Sequence, residues 1–281
     1  MTSGRLFHQI LGRVLLLLAA LTATGAILFP ALVALGTSFK PMEEIFTMTP
    51  SILPQSPTLA SYRKLLGMPE FSRYLVNSLA ISGLTSLIAV MASLLAAYAL
   101  TFLRFPGRRM ISQMILMTYM FPAVTLVIPL YFLASRLNLL DTYLLLIMSD
   151  LSFSLPIAVW LMNGYFEKLP PELVQAAQID GCSHLQIIRH IILPVMTPGV
   201  TAAGVFAFIL AWSEYLFSLT LTLTDRSRTI SAGMHYCLMG NYRTDYGLLT
   251  AAGIIVVIPV VALFTLFQKY ITGGLTEGSL K

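Results

Sequence analysis

Charge is what this 281-residue chain has least of: Asp, Glu, Lys and Arg make up only 10% of it, where a soluble domain carries about a quarter. A soluble fold is thereby excluded. Cysteine is also scarce, with Cys182 and Cys237 as the two in the chain, and neither sits in a metal-ligand spacing. No Gly-Lys dipeptide occurs, so there is no phosphate-cradling Walker A loop and the chain is not expected to hydrolyse nucleotides itself. The four histidines are dispersed and neither a metal motif nor a Gly-x-Ser-x-Gly elbow occurs, so a catalytic role for this chain has little support. The net charge of +5 is spread in ones, twos and threes, which fits lipid headgroups and not nucleic acid.

What is abundant is apolar: 57% of the residues are hydrophobic. A bilayer core of roughly 30 Å takes about 20 apolar residues per helix, and six runs qualify, at about 14–39, 74–103, 111–134, 142–163, 196–222 and 248–270. Thr24-Gly25-Ala26 resembles a signal cleavage site, but the apolar pattern continues well past it, so the first run stays in the membrane as a helix. Lipid leaves the backbone no partner outside a helix or closed barrel, and the expectation is an all-α integral membrane protein of six transmembrane helices. Pro41, Pro50, Pro54 and Pro57 break the polar stretch 40–73 into an extramembrane loop. Pro122, Pro129, Pro156 and Pro259 lie inside spans and are read as kinks. With the N-terminus inside, nine Lys or Arg fall inside against eight outside. The dense cluster Arg104, Arg108 and Arg109 tips that balance towards N-inside.

One segment between spans is helical without being a span. From Glu167 to Pro194 it reads EKLPPELVQAAQIDGCSHLQIIRHIILP. Pro171 suits a first helical position and Glu172 the positive end of the helix dipole. Leu173, Ala176, Ala177 and Asp180 recur at helical spacing, giving a face on which the small alanines allow close approach. Gly181 ends that helix, and Ser183 can cap a second whose Leu185, Ile188 and Ile192 form an apolar stripe. Such a hairpin could read DNA, lie on lipid or dock a soluble partner. Flanking spans and few basic residues argue against DNA.

The string PPELVQAAQIDG with Ile192-Leu193-Pro194 downstream resembles the EAA loop of binding-protein-dependent ABC importer permeases. Ala176, Ala177, Gly181, Leu193 and Pro194 match that pattern, while Gln175 stands where the family usually has glutamate. AWSEYLFSLTLT at 211–222, YLVNSLAISG at 74–83 and FQKYITGGLTEGSLK at the end are similar to further motifs of the carbohydrate branch. Together they resemble the smaller permease subunit of maltose-type importers. The resemblance implies a type I ABC importer permease fold, with a first helix and loop at 1–73, a core at 74–270, a cytoplasmic coupling hairpin at 167–194 and a tail at 271–281. It implies a bacterial inner-membrane, multi-pass protein with both termini cytoplasmic. It also implies a second permease subunit forming a heterodimer, an ATPase dimer carrying ATP and Mg, and an external sugar-binding protein. No cofactor is expected on this chain. Glu172, Gln175, Ala176, Ala177, Asp180, Gly181, Leu185 and Pro194 are the expected ATPase-coupling residues.

Asp150 in span four and Glu214 in span five are ionisable groups inside the membrane, which are costly and usually face a partner or a wet cavity. Each could make a helix-packing hydrogen bond or, with Trp212 and Tyr215, line a translocation pathway where carboxylates accept from sugar hydroxyls and rings stack on them. For the two aromatic residues packing is the simpler reading. The loop at 223–247, with Asp225, Arg226, Arg228, His235, Tyr236, Tyr242 and Arg243, is the external segment expected to meet the binding protein.

Overall fold

Long apolar runs become long helices because each backbone N–H and C=O in such a run finds its partner within the same segment. A computed structural model describes residues 2–47, 51–238 and 245–276, and no strand occurs among them. In chain order the helices are α1 (Thr2–Ser38), α2 (Met42–Ile45), α3 (Ala60–Leu66), α4 (Pro69–Phe102), α5 (Arg108–Thr118), α6 (Ala123–Arg136), α7 (Tyr143–Phe166), α8 (Pro171–Ile179) and α9 (His184–Ile187). After a π-helical turn at Ile188–Ile192 come α10 (Leu193–Val195), α11 (Thr197–Trp212), α12 (Leu216–Leu221), α13 (Ile230–Leu238) and α14 (Tyr246–Thr276).

Four stretches, Leu11–Ser38, Pro69–Phe102, Tyr143–Phe166 and Tyr246–Tyr270, are each long and apolar enough to cross a membrane. Two bent pairs raise the number to six, α5 with α6 at 91° and the arm His184–Val195 with α11 at 84°. The third span is therefore not the continuous helix expected at 111–134. It breaks at Tyr119–Pro122 because proline disfavours the helical conformation in the residue before it, and Pro122 itself is extended (ψ 126°). The fifth run is also interrupted, at Ser213–Tyr215, between α11 and α12. The second span begins at Pro69 and the last helix runs to Thr276, outside the limits 74 and 270 set by hydropathy. Residues 277–281 lie outside the described residues.

The chain forms two compact units, residues 1–68 with 238–257, and 69–237 with 258–281. In the first, the loop after α1 is held by polar contacts: Ser38 Oγ and Tyr62 Oη are 2.8 Å apart, Lys40 Nζ donates to the Ser51 carbonyl, and Gln55 N–H donates to Glu44 Oε1 at 2.8 Å. The last contact, with others from Ser56 and Ser51, holds the Glu44 carboxyl below the usual carboxylate range.

In the second unit α4, α7 and α11 pack through small residues, among them Ser82, Thr85, Ala89, Ser93 and Ala97 on α4 and Gly199, Ala202, Ala203 and Ala207 on α11. Lipid offers no hydrophobic drive for helices to associate, so close backbone approach must supply the contact. At Gly199 an added Cβ would come 2.8 Å from the ring of Tyr165. The other side of α4 presents Val76, Leu84, Leu87, Ile88, Met91 and Leu95 outward, as a lipid-facing surface should.

At one end of this bundle a polar network closes the loop between α12 and α13. Asn77 Nδ2 donates to the carbonyls of Arg226 (3.1 Å) and Arg228 (2.8 Å), and Tyr143 donates to Asn77 Oδ1. Ser78 Oγ accepts from Ile230 N–H at 2.7 Å and Ser218 Oγ from Thr229 N–H at 3.1 Å. Arg228 is buried, pairs with Asp225 and lies 3.8 Å over the Tyr236 ring. Asp141, at a positive φ of 61°, accepts from Ser227 Oγ at 2.7 Å and from Thr224 Oγ1. Burial pushes the Asp141 carboxyl up, yet these donors outweigh it and leave it below its ordinary value. A depressed carboxylate contributes stability above its unfolded pKa, about 3.9, and loses it as pH falls through the lower folded value. Asp141→Asn should therefore flatten the acid limb of a thermal-stability profile below about pH 4. Asp141→Ala, which strands the buried Ser227 hydroxyl, should cost about 1–3 kcal/mol at neutral pH.

Candidate functional site: the hairpin between the fourth and fifth spans

The hairpin follows its local signals closely. Pro171 opens α8 after an extended Pro170. The helix ends in a Schellman motif: Cys182 N–H donates to the Ala177 carbonyl at 3.0 Å, and Gly181 N–H to that of Gln178 at 3.1 Å. Gly181 has φ +80°, a conformation that costs a residue with a Cβ about 1–2 kcal/mol. Ser183 then starts the second arm, its N–H donating to Gln186 Oε1 at 2.8 Å.

Which side of the hairpin faces the bundle is where the structure departs from the periodicity. Val174 and Ala177 are buried with Ile187, Ile188 and Ile192 in one core with Ala89, Ala97, Tyr98, Met162 and Phe166 from α4 and α7. Ala177 is 4% exposed while Ala176 is exposed, so the alanines do not share a face; neighbours on a helix lie about 100° apart. Leu185 does not join the stripe either. It is 70% exposed, and Ile179 is 86% exposed. The inward stripe is Ile187, Ile188 and Ile192, displaced by the π-helical turn that starts at Ile188. The outward surface carries Glu172, Gln175, Ala176, Ile179, Asp180, Gly181 and Leu185, and Pro194 is exposed on α10. Ile179 and Leu185 are thus two large apolar side chains left uncovered on either side of the Gly181 bend.

Besides its apolar core, the hairpin is joined to α4 by a polar contact, Tyr98 Oη to His184 Nδ1 at 2.8 Å. Tyr98, Phe102, Phe166 and His184 form a group of tilted and edge-on rings around it. Sequence reading passed over Tyr98 because a tyrosine in an apolar run gives no signal of its polar partner 86 residues away.

The four residues proposed for a pathway are not brought together as one lining. Trp212 is 3% exposed and stacked on Phe208, with ring centroids 5.6 Å apart and planes at 16°, which takes up a ring face. Glu214 is not within a continuous helix. It sits in the α11–α12 break, where Phe217 N–H donates to Oε1 at 2.7 Å and Ser218 N–H to Oε2 at 3.0 Å; it is a cap. Asp150 is buried on α7, within electrostatic reach of Glu214. Tyr215 is the exposed one, its ring edge-on to His235 at 6.5 Å. In the loop beyond, Asp225 and Arg228 are occupied by the polar network, whereas Arg226, His235 and Tyr236 are exposed. Tyr242 and Arg243 lie outside the described residues.

Comparison with known proteins places this arrangement. Over 256 residues the chain is 36% identical to the inner membrane ABC transporter permease protein YcjP of Escherichia coli, covering 90% of this chain and 91% of that protein. It is 35% identical over 276 residues to the trehalose/maltose transport system permease protein MalG of Thermococcus litoralis, covering 98% and 99%. The trehalose permease SugB of Mycobacterium tuberculosis is 33% identical over 258 residues, covering 92% and 93%. In fold, the chain matches a chain of a bacterial ABC transporter involved in import of the acidic polysaccharide alginate, with TM-score 0.75 at 24% identity and coverage of 96% and 98%. Residues 88–276 match the model of the binding-protein-dependent transport system inner membrane component. With six apolar runs, a bent hairpin seated on the bundle and relatives that match end to end, the chain belongs to that family, as the non-catalytic permease subunit of an ABC importer.

Proposed function

We propose that the chain forms half of the translocation pathway of a sugar importer, and that its hairpin docks an ATPase subunit. The observation that carries the reading is the two-sidedness of the hairpin. Its inner side is continuous with the core of α4, α7 and α11, so force on it reaches three spans at once. Its outer side leaves Ile179 and Leu185 uncovered beside a bend set by Gly181. An interfacial helix would turn such residues towards lipid, but here the apolar inner side is already taken by the bundle. Relatives named for trehalose and for trehalose/maltose transport support a sugar as the solute. The hairpin lies on the cytoplasmic side in this reading, as do both termini, and the 223–247 loop meets an external sugar-binding protein. A second permease subunit completes the pathway, and ATP with Mg belongs to the ATPase pair. Binding of the loaded binding protein and of ATP shifts the bundle between inward- and outward-open states only by their differential affinity for the two.

Docking and folding can be separated by side. Ile179→Asp and Leu185→Glu should abolish co-purification of the ATPase, or its sugar-stimulated hydrolysis, while leaving the thermal stability of the permease unchanged. Ala177→Leu should instead lower stability by about 1–3 kcal/mol through overpacking. Gln175→Glu, which supplies the usual family residue, should leave coupling intact or strengthen it. If both outward variants keep ATPase association and stimulated hydrolysis, the docking reading fails. Orientation is checked with the cysteines, which are both free and half-buried. A membrane-impermeant thiol reagent applied to whole cells should modify Cys237 and spare Cys182, and the reverse pattern would invert the topology.

A further inference from the structure

The second arm of the hairpin meets the bundle in two ways that differ in kind. Ile187, Ile188 and Ile192 pack into the core that Ala89 and Ala97 of α4 share. Such apolar burial is non-directional, so it holds the arm on the bundle without fixing where along α4 it sits. The 2.8 Å contact between Tyr98 Oη and His184 Nδ1 is directional, and it weakens steeply as its geometry is lost. Its two ends are also unequal. Tyr98 is 3% exposed, so its hydroxyl has no water to turn to if the arm slides away, and an unmet buried hydroxyl is unfavourable. His184 is exposed and begins α9 beside Leu185 of the outer surface. A push on that surface therefore reaches α4 through His184.

We propose that Tyr98 and His184 are positioning residues that lock the hairpin in register with α4, so that ATPase movement at the hairpin is delivered to the opposite end of the chain; the proposal rests on the reading of the hairpin as the ATPase dock. α4 is suited to carry that movement. It runs unbroken from Pro69 to Phe102, with no proline after its first residue. Tyr98 and Asn77 lie about 30 Å apart along it, at 1.5 Å per residue. At the far end Asn77 donates to the Arg226 and Arg228 carbonyls, and Ser78 accepts from Ile230 N–H. These bonds tie α4 to the start of α13, the helix that carries Cys237. A shift of α4 along its axis thus moves the loop before α13. Without the Tyr98–His184 bond the ATPase still docks, but its stroke is lost as sliding at the apolar interface.

The test uses the assembled complex of permeases and ATPase in lipid nanodiscs. Cys237 is free and half-buried, and its alkylation rate by a water-soluble maleimide is followed by mass spectrometry of this chain's peptide, with and without a non-hydrolysable ATP analogue and Mg. In the parent complex the analogue should change the rate about fivefold or more, the lower end of the usual coupling between sites. Tyr98→Phe, which keeps the ring and removes the hydroxyl, and His184→Leu should each bring that ratio to about twofold or less while ATPase co-purification is unchanged. His184→Asn, whose amide takes the place of Nδ1, should keep the parent ratio. The double variant Tyr98→Phe with His184→Leu should fall no further than either single one, because both remove the same bond. A role confined to stability lowers the melting temperature and leaves the ratio at its parent value, which overturns the proposal, as does an additive loss in the double variant. A parent complex in which Cys237 does not respond to nucleotide overturns it too. If the ATPase fails to co-purify with the parent, the docking reading falls and this one with it. If the ATPase stays bound and Tyr98→Phe keeps the full ratio, docking stands and the positioning role alone is lost.

Discussion

Inside a bilayer a backbone amide that leaves its helix has no water to turn to, and the helix breaks in this protein are arranged around that constraint. The gap between α11 and α12 is bridged by Glu214, whose two oxygens accept from the Phe217 and Ser218 N–H groups in the first turn of α12. The turn between α12 and α13 is closed from α4, where Asn77 takes two carbonyls and Ser78 one N–H, while Ser218 takes another. These polar side chains look misplaced in apolar runs until the orphaned backbone groups beside them are considered. Their presence allows a chain of mostly apolar residues to bend sharply and still fold to one arrangement.

The same constraint explains the division of labour among the helices. A continuous helix without an interior proline, such as α4, needs no help with its own backbone, so its side chains are free to be small and bring neighbours close. The hairpin and the turn between α12 and α13 sit at the ends of the bundle, where polar partners reach them. The hairpin lies at one such end and the Asp141–Arg228 network at the other. α4 runs between them, carrying Tyr98 against the hairpin and Asn77 and Ser78 in the network. A rigid element with a polar anchor at each end ties the position of one end to that of the other.

Much of this was legible in the sequence, and the reasons differ by element. Pro171, Gly181 and Ser183 act through their own backbone, so the start, bend and restart of the hairpin could be read without a structure. The six apolar runs were legible because hydropathy registers membrane exposure directly. The break at Pro122 was open to reading, since proline restricts the residue before it, but a kink and a 91° turn look alike in sequence. Sidedness was not legible. Leu185 fits an apolar stripe at ideal helical spacing, and only the π-helical turn beyond it shows that the stripe begins at Ile187. Glu214 looked like a residue inside a span because its role depends on a break that no Gly or Pro announces.

The π-helical turn at Ile188–Ile192 has a consequence for how the hairpin is aimed. Such a turn is an α-helical turn with one residue added, and one residue is worth about 100° of rotation and 1.5 Å of rise. The angular position of the hairpin about the axis of its own second arm is thus set by a single inserted residue upstream of Pro194. Losing it would swing Ile187 towards solvent and turn Leu185 to a new bearing while leaving every span intact. A change of one residue in length here would re-aim the outer surface at a differently placed partner, a shift that no substitution on that surface could produce.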